Sequence, residues 1–64
     1  MVKPRNAEEQ AFWDAAALRV MPGLAELGAR GEVDDYGPKE VASDAYEFAS
    51  ALLAERQRLT DASP

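Results

Sequence analysis

Apolar residues recur along the chain in two blocks at helical spacing, and a short polar stretch separates them. Placed at 100° per residue, Phe12, Trp13, Ala16, Ala17, Val20, Met21, Leu24 and Leu27 fall in one continuous arc. Asp14, Arg19 and Glu26 lie outside it. Asn6 suits the position before the first turn, and Glu9 three residues on approximates a reciprocal capping pair. Glu8 and Glu9 suit the positive end of the helix dipole. The pattern predicts a helix over residues 7–28. Pro22 and Gly23 interrupt it: proline removes one backbone hydrogen bond and crowds the carbonyl of Leu18. Because the apolar arc stays in phase from Phe12 to Leu27, we expect a kink near Pro22 rather than a break.

Residues 29–37 form the connection, with Gly28 and Gly31 as candidate helix stops. Pro38 fits the first position of a second helix, where its missing N–H costs nothing. That helix is predicted over residues 38–59, with a frayed tail at 60–64. One face carries Val41, Ala42, Ala45, Tyr46, Phe48, Ala49, Leu52, Leu53 and Leu59. The other carries Ser43, Asp44, Glu47, Ser50, Glu55, Gln57 and Arg58. There is no strand alternation and no internal repeat. The expected fold class is all-α: one helical domain over residues 1–64, built as a helical hairpin.

Two helices share a single line of contact, yet each arc is wider than the ~100° stripe of an ordinary surface helix. Large apolar patches left in water mark interfaces. We therefore expect homo-oligomerisation to complete the hairpin, two copies forming a four-helix bundle or more copies a larger one. Phe12, Trp13, Val20, Leu24, Val41, Phe48, Leu52 and Leu53 are the expected interface residues. Length argues the same way. A chain of 64 residues buries only about 60% of its unfolded surface, and such small folds are usually stapled. With no cysteine and no histidine, disulfides and the common zinc and iron ligand sets are missing. A partner chain is the staple left.

Charge narrows the partners. Seven basic and 12 acidic residues give a net charge of −5, which weighs against general binding to nucleic acid or an anionic membrane. The basic residues Lys3 and Arg5 precede no apolar run of the kind a signal peptide carries, and no stretch approaches the ~20 apolar residues of a membrane span. A cytoplasmic protein is expected. Ser43, Ser50, Ser63 and Thr60 have no histidine to activate them. Asp34 and Asp35 suit a turn, and neither a calcium-loop spacing nor a glycine-rich phosphate loop occurs. Glu40, Asp44 and Glu47 read as a solvated acidic stripe near a helix start. We expect binding rather than catalysis, with no metal or cofactor. Arg56 stands out because it falls inside the apolar arc of the second helix, with Tyr46 on its border and Arg19 bordering the first. An arginine there snorkels outward, pairs with an acid, or receives an anion. Arg19, Tyr46 and Arg56 are thus the candidate ligand-binding residues, of types that suit phosphate contact and base stacking.

Phe12-Trp13-Asp14-Ala15-Ala16-Ala17-Leu18, followed by Gly23-Leu24, resembles the aromatic-Ala-Ala opening of a group of small bacteriophage proteins, mostly of unassigned function. Ala45-Tyr46-Glu47-Phe48-Ala49-Ser50-Ala51-Leu52-Leu53-Ala54-Glu55-Arg56 is similar to their closing Ala-Tyr-x-x-Ala-x-Ala-Met-Leu-x-Glu-Arg helix. The likeness covers most of the chain. Pro22 departs from the first block, and leucine replaces the methionine at position 53 or its neighbour. The resemblance implies a phage or prophage accessory protein acting on a host system. It implies sequestration of either a cyclic nucleotide signal or a host protein, with a self-associating virion or scaffold component as the alternative.

Overall fold

The computed structural model describes residues 1–31 and 34–62. It is an antiparallel pair of helices, α1 over Ala7–Ala29 and α2 over Pro38–Ala62. Asn6 is extended, and its side chain accepts from the Glu9 N–H at 2.8 Å, so one of the free donors of the first turn is satisfied. The capping pair is not reciprocal. The Glu9 carboxylate reaches past Asn6 to the Arg5 N–H at 2.9 Å.

α1 is continuous through Pro22, which is exposed together with Gly23; the chain does not break there. Its stop is Gly31. The Arg30 N–H closes on the Glu26 carbonyl at 3.0 Å, and the Gly31 N–H on that of Gly28 at 3.1 Å. Gly31 takes φ 71°, a left-handed conformation that a side chain would strain. Gly28 serves differently. It lies inside α1, where a Cβ would sit 2.8 Å from the Tyr36 carbonyl oxygen. Its missing side chain lets the connection return close to the helix. Pro38 opens α2, and the Val41 N–H bonds the Gly37 carbonyl at 3.0 Å. α2 then runs through Thr60 and Asp61 to Ala62, where fraying was expected; Ser63 and Pro64 lie outside the described residues.

The contact between the helices is made of small side chains. Ala16, Ala17, Ala45 and Ala49 form its core, with Trp13, Val20, Met21, Leu24 and Tyr46 packed against them. Leu53 is fully buried at one end and Val41 nearly so at the other. The buried residues Val41, Ala45, Ala49 and Leu53 step by four along α2. Four residues advance the helix by about 40° beyond a full turn, so the seam winds around α2 along an i±4 ridge. One expectation fails for this reason: Ser50 and Gln57, assigned to the polar face, turn into the seam. Phe48 and Leu52, expected to stay outside the hairpin contact, do turn out of it, as does Leu59; they are 55%, 49% and 56% exposed.

The molecule is long and thin. Its extents are 47 × 18 × 17 Å and its radius of gyration 13.6 Å, against about 11 Å for a compact domain of this length. Among the described residues no helix is long and apolar enough to cross a membrane. Truncating Leu53 to alanine should cost about 2–5 kcal/mol, and enlarging Ala49 to leucine about 1–3 kcal/mol by overpacking. Leu18→Ala, at an exposed position, should stay within about 0.5 kcal/mol. Urea unfolding followed by circular dichroism measures all three.

Candidate functional site

Three groups of polar side chains decide which surfaces of the hairpin are free. The first closes its open end. Glu9 is only 3% exposed yet holds its charge, because donors surround it. Its oxygens accept from the Arg5 N–H, from Arg5 Nη2 at 2.9 Å, and from Gln57 Nε2 at 2.8 Å. Arg5 reaches on to Asp61 at 3.2 Å. The hydrogen bonds from Arg5 and then Gln57 outweigh burial and hold the Glu9 carboxyl down at about 2, while the Arg5 guanidinium is raised by the same carboxylates. This clasp ties residues 3–9 to the last turns of α2, which is why α2 outlasts its predicted end. One signal for it is legible in the sequence: Gln57 stands four residues beyond Leu53, on the same winding ridge.

The second group covers one flank. Trp13 Nε1 donates to Ser50 Oγ at 3.0 Å, and the Trp13 and Tyr46 rings meet at 4.6 Å, tilted by 60°. Tyr46 Oη donates to Asp14 at 2.8 Å, and Gln10 to the same carboxylate at 3.1 Å. That bond, with burial, raises the Tyr46 hydroxyl. The third group lies at the closed end, where Tyr36 Oη donates to Asp44 at 2.7 Å. This bond, then burial and the charges of Asp44, Glu40 and Glu47, pushes Tyr36 up to about 12.

The opposite flank is apolar and open. Phe12, Ala15, Ala16 and Arg19 of α1 and Leu52 of α2 line a shallow hollow of about 450 Å³, and Phe48 with Ala51 and Glu47 lines a smaller one of about 230 Å³. Arg56 lies over the Phe12 ring at 5.2 Å and pairs with Glu8 at 2.7 Å, a cation–π contact joined to an ion pair. A further apolar hollow of about 300 Å³ sits at the closed end between Met21, Tyr36 and Val41.

The expected interface residues therefore divide. Val41 and Leu53 are buried within the hairpin, and Trp13, Val20 and Leu24 pack against its alanine core; these five are largely used up by the fold. Phe48 and Leu52 stand on the open flank, and the partly buried Phe12 lines its hollow. The candidate ligand residues divide too. Arg19 and Arg56 share the open flank, but Tyr46 is bonded to Asp14, about 200° around α1 from Phe12. Comparison with protein-family models, characterised proteins and solved structures finds no match for this chain.

The lowered Glu9 pKa fixes a pH dependence. Its folded value lies below its ordinary 4.5, so the stability it contributes is present above that pH and is lost as pH falls toward about 2. Thermal unfolding across this range should show the loss, and Glu9→Gln should flatten it and speed amide exchange at Asp61 and Ala62. An unchanged acid profile in Glu9→Gln would contradict the role of the clasp.

Proposed function

We propose that this chain is a non-catalytic helical accessory protein of the small phage type, that it acts by binding, and that it does so as a self-associated bundle. The observation that carries the reading is the open flank, where Phe48 and Leu52 are each about half exposed. For side chains of this size the loss is on the order of 25 cal/mol for every Å² of apolar surface kept wet. The solvent-accessible surface supports it: 4607 Å², where a compact monomer of this mass has about 4,000 Å². The molecule has more surface than a finished domain.

Binding of a host protein is the alternative use of the same flank, open to it only where a second copy does not cover it, since apolar surface with a polar rim is the usual form of a protein interface. Sequestration of a cyclic nucleotide makes a stricter demand. Tyr46 and the two arginines stand on opposite flanks of one hairpin, so a nucleotide site built from all three has to be shared between subunits.

If self-association completes the fold, stability depends on protein concentration. The urea midpoint should rise between about 1 μM and about 100 μM protein. The double variant Phe48→Glu, Leu52→Glu should abolish that rise and keep its helical signal. A wild-type midpoint that does not move with concentration contradicts self-association. Calorimetric titration with cyclic nucleotides separates the two modes of sequestration: heat in the wild type assigns a nucleotide, and silence leaves the protein-directed reading.

A further inference from the structure

Four charged side chains stand at the corners of the open flank, with Glu47 beside Phe48 on its edge, and the order of the corners has a symmetry. At the open end stand Glu8 of α1 and Arg56 of α2, paired at 2.7 Å. Toward the closed end stand Arg19 of α1, which lines the hollow with Leu52, and, four residues before Phe48, Asp44 of α2, which also accepts from Tyr36. On α2 the row Asp44, Phe48, Leu52, Arg56 steps by four, so these residues lie on one ridge. On α1 the row Glu8, Phe12, Ala15, Arg19 steps by four, three and four. Each row reads acid, apolar, apolar, base. The middle of the α2 row is residue 50, and that of the α1 row falls between residues 13 and 14. Trp13 donates to Ser50 across the helix contact at 3.0 Å, so the two middles lie at one level of the hairpin.

The corners of the flank thus alternate in sign, with Phe12, Leu52 and Phe48 between them. We propose that a second copy of this chain covers the flank face to face, around a two-fold axis through the level of Trp13 and Ser50. The proposal rests on the self-association argued above and adds its surface and its charge code. A two-fold axis relating two touching faces lies in the plane between them. If it runs across the helices, Glu8 meets the second copy's Arg19, Asp44 its Arg56, and Phe48 its Leu52. If it runs along the helices, Arg19 meets the second copy's Asp44, and Glu8 its Arg56. Either rotation lays each corner acid over a corner base, the self-complementarity that an isologous interface requires. Among the described residues Arg19 has no ion-pair partner within its own chain, so its charge is free for a second copy. An unrelated protein has no built-in reason to match this alternation; an identical flank matches it by symmetry.

The test is charge reversal read by sedimentation equilibrium, with the wild-type dimer as reference and circular dichroism as the check on folding. Arg19→Glu places like charges across either two-fold and should raise the dimer dissociation constant about tenfold or more. Adding Glu8→Lys restores the dimer if the axis runs across the helices, and adding Asp44→Lys restores it if the axis runs along them. Restoration by either second change supports the proposal. A wild-type dimer whose dissociation constant is unmoved by Arg19→Glu, or one that neither second change restores, overturns the charge code while leaving self-association standing. A monomeric wild type overturns both.

Discussion

The alanine contact between α1 and α2 is the constraint on which the rest of the structure depends. Ala16, Ala17, Ala45 and Ala49 let the two helices approach closely, since interaxial distance follows the size of the side chains between them. Alanines cannot bury much apolar area, and a close seam has no room for phenylalanine or leucine beyond Leu53 at its end. Larger apolar residues must border the seam or leave it. On one flank Trp13 and Tyr46 border it with their polar atoms hydrogen-bonded. On the other, Phe12, Phe48 and Leu52 border it with nothing over them. The narrow seam therefore creates the open flank.

The ends of the hairpin follow different rules from its middle. At the open end the contact is polar: a buried carboxylate satisfied by five donor contacts from Arg5 and Gln57. Such a group stabilises only while every bond is made, because losing one partner leaves a charge unpaired and out of water. It also sets register, since Glu9 meets Gln57 at a single relative position of the helices. At the closed end the register is held by backbone geometry. Gly31 turns the chain, and Gly28 leaves space for the Tyr36 carbonyl. Between these fixed ends, the Trp13–Ser50 bond holds the middle of the α1 row level with that of the α2 row.

Most of the fold was legible because it is local. Asn6, Gly31 and Pro38 act within a few residues of themselves, and the two helices and their connection follow from them. The width of the apolar arcs also announced that a hairpin alone is too small to cover them. What was not legible is the winding of the seam. A straight wheel assigns each residue one face for the whole helix, whereas a contact stepping by four drifts, so Gln57, assigned to the polar face, enters the seam. The end of α2 was missed for a related reason. Thr60 to Ala62 are held by the contact of Asp61 with Arg5, 56 residues away in sequence, which no local pattern encodes. Arg56 was recognisable as unusual from its place in the arc; that Glu8 and Phe12 receive it depends on the pairing of the helices.

The apolar flank is proposed to lie against an identical flank of a second copy. Light scattering of the wild-type protein over a dilution series tests it most directly. The expected result is a plateau at twice the 7.0 kDa mass of the chain, or a larger closed multiple, falling toward the single-chain mass only on dilution. A well-folded species at the single-chain mass at every concentration would contradict it, and would mean that Phe48, Leu52 and Leu59 face water in the native protein.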